Sequence, residues 1–205
     1  MIADVCKFDV IMTAIIIPKG FKITPKQFDE LTENNTDVRM ELTAQGELIV
    51  MPPTGGTAGW KNASISAQLY NWVMKSKTGK SFDSSTQFIL PNGARRSPDA
   101  AWVSSEKWNT LTPKEQDSFP PLSPEFVVEL VSPSDLKNQR YKNLQEKMQE
   151  YLDNGVKLGW LIEPKARKVE VYRQGQTVEI IQTPKSLSGE DILQGFVLDL
   201  EVIWS

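Results

Sequence analysis

The sequence predicts an α/β (α+β) domain with a central mixed sheet flanked by helices. Three observations carry this. Residues 125–131, Glu-Phe-Val-Val-Glu-Leu-Val, are a nearly continuous apolar run, the pattern of a strand covered on both faces. Ala63, Ile65, Leu69, Trp72 and Val73 recur at helical spacing, as do Tyr141, Leu144, Met148, Tyr151 and Leu152. The two kinds of pattern alternate without an internal repeat, a low-complexity tract or a linker, so 205 residues read as one domain.

Residues 1–20 read as an N-terminal extension and 21–205 as the domain. The apolar run at 8–17 is far shorter than the roughly 20 residues of a membrane span. It has no small-residue cleavage site, so an edge strand or a loose extension fits it better than a secretory signal. Met12 offers a second start, which would make residues 1–11 a spurious leader. Thr24-Pro25 opens a helix, because Thr can cap and Pro suits the first helical position. Phe28 and Leu31 give its apolar face, and Glu33-Asn34-Asn35 ends it. Residues 38–51 read as a hairpin turning at Ala44-Gln45-Gly46. Pro52 to Gly56 is a loop, and 58–75 a helix stopped by Gly79.

A strand over 81–90 is closed by Pro91-Asn92-Gly93, and 99–103 is a short buried strand. Residues 105–123 are polar and turn-rich, with a short helix from Thr112-Pro113. After the strand at 125–131, Ser132-Pro133-Ser134-Asp135 caps a helix over 134–154. Strands at 157–163, 168–173 and 177–182 follow, with a turn at Glu163-Pro164-Lys165.

Composition removes many kinds of chemistry. The chain has no histidine, which excludes Ser–His–Asp and Cys–His machinery, histidine-metal sites and a histidine pH switch. Its single cysteine, Cys6, can make neither an intrachain disulfide nor a Cys-rich zinc site, and it fits a reducing cytoplasm. What remains is carboxylates, lysines, hydroxyls or a metal held by oxygen. The net charge of −3 argues against nucleic acid as a partner unless a local basic patch or a carboxylate-bound metal offsets it.

Glu129 stands out, because a carboxylate between Val128 and Leu130 costs several kcal/mol unless it is paired or holds a metal. It also reads as strand alternation or as half of a buried ion pair. Asp99 starts another short apolar strand after Pro98. If the two strands are adjacent, Asp99 and Glu129 make an oxygen site suited to Mg²⁺. Lys147 lies on the border of its helix stripe, stacked with Leu144 and Tyr151, and can reach past the core or simply into water. Glu41 and Glu47 flank the first hairpin turn; either can add a carboxylate, and Glu47 reads better as exposed. Gly55-Gly56-Thr57 lacks the Lys-Ser/Thr of a Walker motif. The six tryptophans are scattered and read mostly as core.

Several segments are worded alike in one known family. They are Met-Pro-Pro-Thr-Gly-Gly at 51–56, Leu-Pro-Asn-Gly-Ala-Arg-Arg-Ser-Pro-Asp at 90–99, residues 125–135, and Lys147 to Pro164. Over about residues 21–200 the chain resembles the Uma-two family, a former domain of unknown function with a restriction-endonuclease-like fold of the PD-(D/E)XK class. The resemblance implies a restriction-endonuclease-like core and a metal-dependent endonuclease acting on DNA, with Mg²⁺ or Mn²⁺ held by Asp99 and Glu129. Position 131, where the superfamily usually has its lysine, is Val131. The resemblance moves that role to Lys147 and matches Glu41 to an acidic position that completes the metal shell.

Lys147 is therefore expected within about 6 Å of an Asp99 or Glu129 oxygen, with Lys142 pointing away and Lys137 as its rival. Cutting both strands of a duplex calls for two sites, hence a homodimer. The competing reading is a non-catalytic nucleic-acid or protein-binding module on a decayed nuclease fold, which the charge and Val131 favour.

Overall fold

The computed structural model describes residues 20–133, 135–136 and 139–205. The extension up to position 19, with Met12 and Cys6, lies outside the described residues, as does Lys137. Among the described residues no helix is long and apolar enough to cross a membrane.

Helix α1 (Pro25–Glu33) starts at Thr24, whose side chain and that of Gln27 cap each other's backbone N–H. The hairpin is β1 (Met40–Leu42) and β2 (Leu48–Val50), followed by α2 (Gly56–Ser76). Then come β3 (Gly79–Asp83), β4 (Phe88–Ile89), β5 (Arg95–Arg96) and β6 (Ala100–Ser104). Helices α3 (Ser105–Trp108) and α4 (Pro113–Gln116) lead to β7 (Phe126–Leu130), α5 (Arg140–Asp153) and β8 (Leu158–Glu163). The chain closes with β9 (Lys168–Arg173), β10 (Glu179–Gln182), β11 (Ser186–Ser188), β12 (Val197–Asp199) and α6 (Glu201–Trp204).

The central sheet has six strands in the order β10-β9-β8-β7-β6-β3. It is mixed: β7 and β8 are parallel, joined through α5, and the other pairs are antiparallel. A four-stranded sheet, β2-β1-β5-β4, and the pair β11-β12 stand apart from it.

β7 is interior and buried throughout, and its alternation separates two cores. Phe126, Val128 and Leu130 pack with Ile65, Leu69 and Val73 of α2 and with Phe196 and Leu198. Val127 and Val131 pack with Met148, Tyr151 and Leu152 of α5. Helix α5 packs over Gly159, where a Cβ would lie 2.6 Å from Cε at the movable end of Met148.

Three expectations are corrected. The strand expected over 81–90 is two, β3 and β4, in different sheets. Asp83 Oδ1 accepts from the Ser85 N–H at 3.0 Å and from its hydroxyl at 2.6 Å, and this local turn breaks the run. The helix expected over 134–154 begins at Arg140, because Asp135 Oδ2 accepts both the Ser132 N–H and the Ser132 hydroxyl, closing a turn upstream of it. Gly79 does not stop α2; that helix ends at Ser76 with Lys77 left-handed. Gly79 instead opens β3, where a Cβ would lie 2.2 Å from the Val103 carbonyl oxygen. The tryptophans lie mostly in or against the cores, as expected, with Trp60 half exposed.

Candidate active site

β6 and β7 pair with Ala100 opposite Val128 and Trp102 opposite Phe126. One more step of that register sets Asp99 across from Glu129, at the end of the strand pair. Asp99 is held at both oxygens. Its Oδ2 accepts the Leu130 N–H at 2.8 Å, and its Oδ1 accepts Asn62 Nδ2, from α2, at 2.8 Å.

Alternation along β7 puts Glu129 on the α5 face, between Val127 and Val131, where it is buried. Lys147 and Tyr151 are four residues apart and share one side of α5. Both reach Glu129 Oε1, the ammonium at 2.8 Å and the hydroxyl, donating, at 3.0 Å. Lys147 also donates to Glu41 Oε1 at 2.9 Å. Glu41 comes from β1, is buried, and accepts the Ser97 N–H at 2.9 Å and Arg96 at 3.1 Å. Arg96 in turn donates to Glu150 at 2.6 Å.

Three acids, Glu41, Glu129 and Glu150, thus share two cations, Arg96 and Lys147, while Asp99 makes no ion pair among the described residues and feels Lys147 and Arg39 at longer range. Burial, with Asp99 and Glu41 nearby, pushes Glu129 up to about 7 although Lys147 pulls the other way. Burial likewise raises Asp99, against the Leu130 N–H and Lys147. For Glu41 the burial effect is the largest, but Lys147, Arg96 and the Ser97 N–H together hold it below the ordinary value. Lys147 is held above the ordinary lysine range, because Glu129 and Glu41 outweigh its burial.

The structure therefore brings Asp99, Glu129, Lys147 and Glu41 together. Glu47 is exposed. Lys142 is also exposed and pairs with Glu146 at 3.6 Å on the far side of α5. Sequence reasoning missed Asn62, Arg96, Tyr151 and Glu150. Arg96 had one signal, its place in the 90–99 segment that carries the family resemblance; the other three depend on contacts between distant segments.

Asp99, Glu129, Lys147 and Glu41, with Asn62, Arg96 and Glu150, line one cleft of about 1660 Å³ between α2 and α5, and Tyr151 lies buried behind it. A family model described as "Putative restriction endonuclease", Uma2, matches residues 25–201. The chain belongs to the Uma2 family. A crystal structure described as a "putative nuclease belonging to DUF820" from Anabaena variabilis is similar to this Uma2 chain, with a TM-score of 0.71 and 21% identity. The match covers 89% of this chain and 97% of that one, and it bears on the fold. No curated protein matches.

The Uma2 description implies a divalent metal, and the donors here fit one. Acids outnumber cations, and Asp99 and Glu129 supply hard oxygen ligands. Asn62 Oδ1, on the side chain that holds Asp99, is buried without a hydrogen-bond partner among the described residues, an acceptor that a metal-bound water would meet. Among the described residues no three acidic or thiol side chains are grouped to hold an ion alone. Mg²⁺ takes one or two carboxylates and completes its shell with water and phosphate, so the Asp99 and Glu129 pair is the donor set that would hold it. Glu41, expected in the metal shell, accepts from Lys147, Arg96 and the Ser97 N–H, much as both oxygens of Asp99 accept from Asn62 and the Leu130 N–H.

Proposed function

We propose that this Uma2 protein is a metal-dependent endonuclease that hydrolyses phosphodiester bonds of DNA. The observation that carries the reading is the buried Asp99–Glu129 pair with Lys147 at 2.8 Å, opening on a cleft. Asp99 and Glu129 would hold Mg²⁺ or Mn²⁺. The bound ion would supply a Lewis acid to the scissile phosphate and an acidified water. Asn62 and the Leu130 N–H fix the Asp99 carboxylate, and Tyr151 fixes Glu129. Lys147, held by Glu41, stabilises negative charge as it develops on the phosphate. No step needs histidine.

Residues 21–205 act as one unit in this reading, in the cytoplasm, and as a homodimer whose two sites meet the two strands of a duplex. A second reading rests on one observation: Lys147 is already paired with two acids, as in a structural ion-pair knot of a non-catalytic binding module. Incubation with supercoiled plasmid separates the two. With Mg²⁺ the protein should nick and linearise DNA; EDTA, Glu129→Gln or Asp99→Asn should lower the rate at least about a hundredfold, the cost of losing a principal charge-stabilising group. A Glu129→Gln protein as active as the parent, or a parent inert towards both DNA and RNA with either metal, contradicts the proposal.

A further inference from the structure

Lys61 occupies a core position without being a core residue. The buried stripe of α2 is Lys61, Ile65, Leu69 and Val73, each four residues on. The last three enter the core, whereas Lys61, 7% exposed, sits where the core gives way to the cleft and lines it. Among the described residues it makes no ion pair and no hydrogen bond. Its stem is buried while its ammonium reaches the cleft without an anion beside it, and desolvation together with the charge of Arg167 holds its pKa below the ordinary lysine value.

The start of the same 21-residue helix faces the same space. Its N-cap, Gly55, offers no side-chain cap, so the first N–H groups lack a partner from the helix. Gly55 and Gly56 line the cleft. A Cβ on either would meet nothing within 4 Å, so packing inside the protein does not require glycine there. Glycine at these two places leaves the backbone open to a ligand. One residue past Lys61, Asn62 holds Asp99, which ties this end of the helix to the carboxylates.

We propose that Lys61 and the uncapped first turn of α2 form a phosphate-binding subsite beside Asp99 and Glu129. It takes a backbone phosphate of the nucleic acid next to the one that is cut. Free N–H groups and the positive end of a helix dipole suit a phosphate oxygen, and the Lys61 ammonium gains the counter-charge that the protein withholds. The proposal rests on the nuclease reading for the source of the phosphate, and on Lys61 and α2 for its chemistry.

The test measures binding of a labelled DNA duplex across salt concentrations, with Ca²⁺ replacing Mg²⁺, alongside thermal melts with inorganic phosphate. Lys61→Gln and Lys61→Arg are compared with the parent and with Lys75→Gln, an exposed residue in the last turn of α2. Lys61→Met, which keeps the stem, replaces the Gln variant should that fail to fold. Lys61→Gln should weaken DNA binding about tenfold and lower the slope of log K against log salt by about one, with Lys61→Arg close to the parent and Lys75→Gln unchanged. If no form binds DNA but phosphate raises the melting temperature of the parent and not of Lys61→Gln, the subsite stands with free phosphate as its occupant, and the nuclease reading falls. A Lys61→Gln protein that matches the parent in DNA affinity, salt slope and phosphate response overturns the subsite and leaves the nuclease reading in place. Absence of any response to either ligand overturns both.

Discussion

Lys147 holds two buried carboxylates at once, 2.8 Å from Glu129 and 2.9 Å from Glu41, and this sets what its removal costs. Losing one member of a buried ion pair leaves an uncompensated charge and costs about 3–5 kcal/mol. Glu41→Gln and Lys147→Met should each fall near that range in EDTA. The double variant should cost less than the sum, with a coupling of about 1–3 kcal/mol read from denaturant melts. Additive costs would mean that the two groups do not share their stability. At this scale the sequence exposed what local pattern can expose. Glu129 is conspicuous as a charge inside an apolar strand, and Lys147 sits on a stripe border whose direction follows from helical geometry. Tyr151 looked like an ordinary core aromatic, because its hydroxyl finds Glu129 only once α5 lies on β7. Asn62 had no local signal, since its partner Asp99 is 37 residues on.

Elements decide where that lysine points, and Glu170 ties α5 to the sheet. It is buried on β9 and accepts from Tyr141 at 2.7 Å and Gln145 at 3.0 Å, both on α5. Tyr172 and Lys168 of β9 donate at 2.8 and 3.1 Å. Burial alone would raise its pKa, but the bonds from Gln145, Tyr141, Tyr172 and Lys168 outweigh it and hold the carboxyl below 4.5. An acid so depressed adds stability that is complete above its unfolded value of 4.5 and is lost as pH falls through the folded value. Glu170→Gln should therefore cost about 2 kcal/mol at neutral pH, with the gap to the parent narrowing in acid. A gap that is constant with pH would contradict this. The elements read correctly from sequence were those with a strong period or an explicit cap, such as β7 and α1. The break at Asp83 and the late start of α5 at Arg140 were hidden, because side chains of Asp83 and Asp135 bond to backbone within three residues and override the apolar pattern.

For the whole molecule, one mixed sheet divides two cores, and the cleft opens where β6, β7, α2 and α5 meet. The fold class was legible because the apolar run of β7 demands cover on both faces. The second sheet was not, since Arg95–Arg96 is a two-residue strand of charged residues, and it joins β1 across a long stretch of chain although β4 is close by in sequence. If duplex cleavage uses two sites, light scattering should give about twice the chain mass at working concentration; a monomer at every concentration tested would rule the dimer out. The central claim is that Asp99 and Glu129 hold the catalytic ion, and anomalous diffraction from a Mn²⁺-soaked crystal reads it most directly. The account predicts an anomalous peak bonded to oxygens of both residues at roughly the 2.0–2.2 Å of a hard divalent ion, and its loss in Glu129→Gln. A peak elsewhere, or Lys147 still bonded to Glu129 with no metal beside it at saturating Mn²⁺, would contradict it.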